Sequence, residues 1–549
     1  MTSGAQGRPL LRLGALVALL VGLSVAATVT TGPMYLGAQP SEETSSGIGA
    51  SAERAPVTTS ALWCPGPEQQ GLSEATVTES PQEVIVQGAA PPGEILGEDF
   101  QDPPAGELVV TAGEAPSARI TRQGAVLTDS VSAAAAGELL ATGGLAPGLS
   151  GAQLWLGAQE QEVGLAVTPC RPAVDSAWLI AGGAEPGRAE RLVLINPGRA
   201  PISVDVQIWG QAGVALQDGG SQIALAPGER RIVLVDALAP SVQAPAVQVE
   251  APGGPVTAYL GDRWLSGTTD QGWDLSGATT DPATSHLLAG VFNAQEGSAD
   301  EAEQDAAPSP ITLRVVVPGP DQAVVQIQAL TDQGPVELPT DVALLPGQQS
   351  TDIEIKDLPD GTSALAVDSD EPALVSAQLS TSPSEKGRAD IAWVTSAAPI
   401  DGLAGTPLPQ ATEAEAPQVA YRLHVAAPLG GRAQVFTVGA GGEVSTSKID
   451  APPGTATEVE LADAQAVWIQ AQQGQIFAAV SAGGLIQVSD ADPTAQARSE
   501  QQAEDAEPTG ADRASANDVS VDDVSVIAVL ALTDLQRYRS LVDLVPQRP

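Results

Sequence analysis

Histidine and cysteine are almost absent from this chain, with two of each among 549 residues. His286 and His424 sit in no recognisable motif: neither H-E-x-x-H nor G-x-S-x-G occurs. Hydrolysis through a bound metal or a serine nucleophile therefore lacks its usual residues, and no metal or other cofactor is expected. Positive charge is equally scarce, since 24 Lys and Arg stand against 67 Asp and Glu, for a net charge of −43. Phosphate binding needs clustered Lys and Arg, so nucleic acid and anionic membrane surfaces are excluded as general partners. The only lysines are Lys356, Lys386 and Lys448, which beside so much alanine reads as GC-rich coding. Long apolar runs are missing beyond the N-terminus. Val526 to Leu532 is too short to span a bilayer, and a helix docked on another part of the chain is the expectation there.

The one long apolar run, "LGALVALLVGLSVAATVTT" from Leu13 to Thr31, follows Arg8 and Arg12. It reads as an export signal, long enough to stay as a single-pass anchor with the arginines on the cytoplasmic side. The alternative is cleavage after the small residues Ser24 and Ala26 or near Ala38, giving a secreted protein. Either way the rest of the chain is expected outside the cytoplasm. In that oxidising compartment Cys64 in "LWCPGP" and Cys170 in "VTPCRP" form a pair, and no histidine near either points to a metal or a catalytic thiol. A Cys64–Cys170 disulfide is predicted.

A chain of this length needs several cores, and its 57 glycines and 45 prolines favour turns over long helices. From Arg191 to Leu260 the segments RLVLIN, ISVDVQIW, GVAL, SQIAL, RRIVLVDAL, AVQVEA and PVTAYL alternate apolar and polar residues between Gly, Pro and Asp breaks. This is the pattern of an antiparallel sandwich, with Asn196-Pro197-Gly198 as a hairpin corner. Leu225 to Leu260 aligns without a gap on Leu344 to Leu379, and a third copy is legible between Tyr421 and Ala482. A unit of this size favours sandwiches over propeller blades of about 40 to 50 residues. "DSAWLIAGG" at Asp175 and "DIAWVTSAA" at Asp390 look like matching entries into repeats.

The predicted class is all-β: tandem immunoglobulin-like antiparallel sandwiches after an N-terminal transmembrane helix. The predicted organisation is an anchor at 1–35, a linker at 36–60 and a degenerate β-domain at 61–181 in which "SVSAAAAGELLATGG" supplies a helical turn or two. Repeats follow at 182–292, 311–400 and 419–489, separated by linkers at 293–310 and 401–418, with a disordered acidic tail at 490–549.

One stretch stands out as a candidate site: "GDRWLSGTTDQGWDLSGATTDPATS", Gly261 to Ser285. Trp264 and Trp273, with Asp262, Asp270, Asp274 and Asp281, have the composition of a sugar site, because pyranose rings stack on indole and carboxylates accept hydroxyl hydrogens. The same acids suit Ca²⁺, although their spacing is not that of an EF-hand. The structural alternative is a long hairpin whose tryptophans pack between domains. Trp178, Trp209, Trp393 and Trp468 read as core. His424, alternating with Leu423 and Val425, is expected to face solvent, and His286 to be a turn or strand residue.

"WCPGP" at Trp63, "TPCRPAVDSAWLIAGG" at Thr168, "RLVLINPG" at Arg191 and "WDLSGATTDPATSHLLAGV" at Trp273, with the N-terminal anchor, carry a resemblance over about Ala61 to Val480. The chain resembles a family of unknown function among exported, membrane-anchored proteins of high-GC Gram-positive (actinobacterial) bacteria. That resemblance implies an extracytoplasmic location and supplies no catalytic residues. Three readings follow. The first is a non-enzymatic envelope scaffold for adhesion or assembly, partnered by cell-envelope proteins. The second is a wall-polysaccharide binder using the Trp264 and Trp273 stretch. The third is a glycosidase, which requires a cleft with paired carboxylates of shifted pKa.

Overall fold

The computed structural model describes residues 55–67, 84–100, 103–113, 116–131, 135–159, 162–215, 220–294, 311–411, 419–489 and 521–539. The predicted anchor and most of the 36–60 linker lie outside the described residues. Among these residues no helix is long and apolar enough to cross a membrane.

Antiparallel sheets make up nearly all of the regular secondary structure of the described chain. In unit II the strands are, in order, Ser176–Ile180, Arg188–Ile195, Ile202–Gly210, Gly213–Val214 with Ile223–Leu225, Arg230–Leu234, Ala246–Glu250, Thr257–Ser266 and Thr269–Ser276. Numbered one to eight in that order, they form one sheet in the order 1-6-3-4 and a second in the order 5-2-7-8. Each of the seven segments read between Arg191 and Leu260 contains a strand, although GVAL contributes only Gly213–Val214 and the end of RRIVLVDAL, Val235–Leu238, is a helical turn. The Asn196-Pro197-Gly198 break is not a hairpin corner, because strands two and three belong to opposite sheets. It is a crossover, held by the buried Asn196, whose amide donates to the carbonyls of Ala200 and Ala226 at 2.9 Å and accepts from the Gly198 N–H.

The same two strand orders recur three more times. Unit I runs from Thr59–Cys64 to Glu162–Pro169, unit III from Ala283–Ala289 to Ile391–Thr395, and unit IV from Leu403–Pro407 to Val521–Ala531. In unit III, strands six and seven are one continuous strand, Thr362–Ser380, which serves both sheets. The gapless alignment of Leu225 to Leu260 with Leu344 to Leu379 superposes strands five, six and seven of units II and III. An immunoglobulin domain pairs its strands 1-2-5-4 and 3-6-7; here strand one pairs with strand six, and strand seven takes its place beside strand two.

Several expected boundaries move. Unit I is as complete as the others, and its "AGELLAT" is strand Gly137–Thr142 rather than helix. Ser176–Ile180 opens unit II, Ala283–Ala289 opens unit III, and Leu403–Pro407, expected as linker, opens unit IV. The 490–549 segment is not all tail. Val521–Ala531 pairs with Phe477–Ser489 over eleven residue pairs as the last strand of unit IV, so "VSVIAVLAL" is strand rather than a docked helix. The "DSAWLIAGG" and "DIAWVTSAA" echo does not mark equivalent positions: the first lies in strand one of unit II, the second in strand eight of unit III.

The four units close into a ring. The eighth strand of each packs on the eighth strand of the next, I on II, II on III, III on IV and IV on I. The apolar cores cross the same seams: Tyr259 and Trp273 of unit II join the core of unit I, Trp393 of unit III joins that of unit II, and Phe477 and Ile527 of unit IV join that of unit III. Leu154 and Leu165 of unit I complete the circuit in the core of unit IV. Strand Ala55–Pro56 pairs with Tyr538–Arg539, which fastens the two ends of the described chain across the I–IV seam. The predicted disulfide is present and ties the first strand of unit I to the residue following its eighth.

Candidate functional site

The Gly261 to Ser285 stretch becomes the hairpin of strands seven and eight in unit II, turning at Gly267 and Thr268. Strand eight lies at the centre of the ring, and its side chains are spent there. Trp273 is 3% exposed and stands edge-on to Trp155 of unit I at 4.7 Å. Trp264 is half-buried on the outer side with the Arg188 guanidinium over its ring, and Asp281 is exposed. The two tryptophans therefore do not share an open face, and three of the four acids, Asp262, Asp270 and Asp274, are buried.

Asp262 and Asp274 face each other across the hairpin. Asp262, completely buried, takes the Nε and Nη2 hydrogens of Arg188 at 2.8 and 2.5 Å, the Gly182 N–H at 3.1 Å and the indole N–H of Trp393 at 2.7 Å. Burial pushes its carboxyl up, but Arg188 and these donors outweigh burial and hold it below the usual carboxylate range. Asp274 accepts the backbone N–H of Trp393 at 2.7 Å and has no cation, so burial pushes it up to about 7. Glu190, which accepts the Gly183 N–H at 2.8 Å, is pushed up to about 7 by burial and by Asp262. Two carboxyls with pKa values driven apart are the signature of an acid–base pair. This pair has no cleft: Asp274 is 4% exposed, Asp262 not at all, and Trp393 caps both. The arrangement joins unit II to unit III.

Asp390, directly before strand eight of unit III, does the same for the whole ring. Its Oδ2 accepts the N–H of Leu165 in unit I at 3.0 Å and of Ile527 in unit IV at 2.9 Å, and its Oδ1 accepts the N–H of Trp273 in unit II at 3.3 Å. One fully buried carboxyl thus bonds the inner strands of all three other units. Burial raises its pKa well above the carboxylate range, with the N–H donors pulling the other way. Two glycines make the room. A Cβ at Gly164 would lie 2.8 Å from Asp390 Oδ1, and one at Gly272 would lie 2.5 Å from the Ile391 nitrogen. Asp270 accepts the Val163 N–H of unit I at 3.0 Å, and Asp522 of unit IV takes Arg388 and Ser384 of unit III at 2.9 and 2.8 Å.

His424 is a correction. It is completely buried, because its sheet is covered on both faces once unit III packs on unit IV. Its Nδ1 lies 2.7 Å from Ser363 Oγ of unit III, its Nε2 lies 2.8 Å from Ser481 Oγ, and Phe292 stacks on the ring at 5.1 Å. Burial, with help from Arg422, lowers its pKa to about 3, so it is a neutral packing residue. His286 is a strand residue, hydrogen-bonded through Nε2 to the carbonyls of Ala283 and Ala373 at 3.1 and 2.8 Å. Trp178, Trp209, Trp393 and Trp468 are core residues. The spacing Ser445 to Lys448 matches S-x-x-K, but on the largely exposed strand Val444–Ala451, where positions three apart point to opposite faces.

The residues missed were Arg188 and Arg314, together with the role of Asp390. Arg314 is 1% exposed, forms a fork on Asp352 at 2.7 and 2.8 Å, and reaches the carbonyls of Ala181 and Pro245 across the II–III seam. The available sequence signal was glycine inside strands, in "EVGLAV" and "DQGWD", which marks a close approach of another backbone.

These features define an all-β protein of repeated eight-stranded units, closed into a ring by buried carboxyls and arginines. The chain belongs to DUF5719, a family of unknown function, which matches residues 125–462. The match begins at strand five of unit I and ends after strand five of unit IV. No curated protein matches the chain.

Proposed function

We propose that this chain is a non-enzymatic scaffold of the cell envelope, anchored by its N-terminal apolar run and projecting its β-units outside the cytoplasm for adhesion or assembly. The carrying observation is how the buried polar side chains are used: Asp262, Asp270, Asp274, Asp390 and Asp522 each bond a neighbouring unit rather than line an open cleft. A rigid body with fixed surfaces is what such an interior supports. The Cys64–Cys170 bridge favours an oxidising compartment, as expected for an exported protein. Within this reading the units serve as immunoglobulin-like sandwiches do, as spacers presenting loops, with their own strand order.

The wall-polysaccharide alternative retains only Trp264 and Asp281 as accessible groups, which weakens it. Protease treatment of intact, wall-stripped cells making a C-terminally tagged chain tests the scaffold reading. Loss of the tag, with the remainder in the membrane fraction, is expected. A protected tag, or free thiols at Cys64 and Cys170 on lysis, would contradict it.

A further inference from the structure

At one end of the ring axis the C-terminal ends of all four inner strands converge on a single cavity of about 350 Å³. Residues 169–171 of unit I, 278–280 of unit II, 396–398 of unit III and 530–536 of unit IV contribute to its wall. That volume lies at the low end of small-molecule sites, which run from about 300 to 1,000 Å³. The wall is mostly apolar, with Leu62, Leu149, Leu530 and Leu532 among its residues. Its one cation is Arg171, and its one carboxylate, Asp534, is taken up by the N–H groups of Asp401 and Gly402 at 2.9 and 3.0 Å.

Arg171 is an unusual group in this protein. The chain carries a net charge of −43, yet among the described residues no carboxylate pairs with this guanidinium. Its protein partners are neutral: the Thr533 hydroxyl at 2.7 Å and the Ala531 carbonyl at 3.5 Å, while its Nε has no acceptor. Arg188, Arg263, Arg314 and Arg388, the buried arginines among the described residues, each have an aspartate, whereas Arg171 stands half-buried in the cavity wall. A partly desolvated cation without a counter-charge costs free energy that an incoming anion would offset. Beside Arg171, the hydroxyls of Thr279, Thr280 and Ser396 form a chain at 2.8 and 2.7 Å on the same wall.

We propose that this cavity binds a small amphipathic carboxylate, its head group on Arg171 and its tail against the leucines. The position gives the ligand contact with all four units at once, so occupancy ties the four together at that end of the ring. The site is independent of the scaffold reading, which stands or falls on location.

Isothermal titration of the full chain with octanoate, 1-octanol and inorganic phosphate tests it. Octanoate should bind one per chain, and more tightly than either the neutral alcohol or the apolar-free anion. Arg171→Gln should weaken octanoate about tenfold or more, as loss of a charged hydrogen bond does, and leave octanol unchanged. Ala278→Phe keeps the guanidinium and fills the cavity; it should weaken octanoate similarly, and it decides the matter if Arg171→Gln fails to fold. No saturable octanoate binding, octanol binding as tight as octanoate, or undiminished binding in both variants would overturn the proposal.

Discussion

The N–H of Leu165 and the Oδ2 of Asp390 lie 3.0 Å apart with 225 positions of chain between them. The same oxygen holds Ile527, and the other holds Trp273. A side chain of unit III therefore satisfies backbone donors in units I, II and IV, and the ring is a hydrogen-bonded unit as well as a packed one.

Asp390→Ala should leave all three of these N–H donors without their acceptor. Each buried N–H left without a partner costs about 1–3 kcal/mol, so a loss above roughly 3 kcal/mol is expected in urea unfolding. Asp390→Asn, which keeps one carbonyl oxygen, should fall between that and the parent. Equal stability of Asp390→Ala and the parent would show that the hub is incidental.

Gly272→Ala should be destabilising for two reasons. The position has φ of 106°, and a Cβ there would meet the Ile391 nitrogen at 2.5 Å and the Asp390 Cα at 2.6 Å. Gly267→Ala, in the turn of the same hairpin with φ of 66° and open space around it, carries only the backbone part. Thermal melts of the two variants should rank Gly272→Ala clearly lower.

The pH dependence has a definite sign. Asp274 and Glu190 have folded pKa values near 7, raised from 3.8 and 4.5, so their contribution is complete below the unfolded values and is lost as pH rises through about 7. His424 works oppositely: with its pKa lowered from 6.5 to about 3, its contribution is complete above 6.5 and is lost on acidification. Stability should therefore rise from about pH 8 to about pH 6.5 and go on rising, less steeply, towards about pH 5, because the one histidine offsets only one of the two carboxyls. Asp274→Asn should reduce the rise. A parent Tm that falls over that first interval would refute the assignment.

Cys64 and Cys170 close a loop of 106 positions. Chain-entropy arguments set a ceiling near 4.7 kcal/mol for such a loop, with about 2–4 kcal/mol usual. The double variant Cys64→Ser, Cys170→Ser should lower the urea midpoint accordingly, and reductant should reproduce the shift in the parent alone.

The sequence made the strands legible where they alternate between turn residues, as from Arg191 to Leu260, and it made the disulfide legible because there were only two cysteines to pair. It did not reveal the eighth strand of unit IV, because the described strands Phe477–Ser489 and Val521–Ala531 are separated by an acidic, low-complexity stretch. Asp262, Asp270 and Asp274 beside Trp264 and Trp273 looked like a surface site since nothing local shows that Val163 and Trp393 will be their partners. Likewise the period-two pattern around His424 predicts one solvated face, and only the packing of unit III on its sheet removes that face.

Hydrogen exchange compared between the full chain and one ending at residue 489 tests the closed ring most directly. The deletion removes the inner strand Val521–Ala531. If the ring is one cooperative body, protection falls in the inner strands of units I and III, Glu162–Pro169 and Ile391–Thr395, as well as in unit IV. Loss confined to unit IV would contradict it and leave four sandwiches that merely touch.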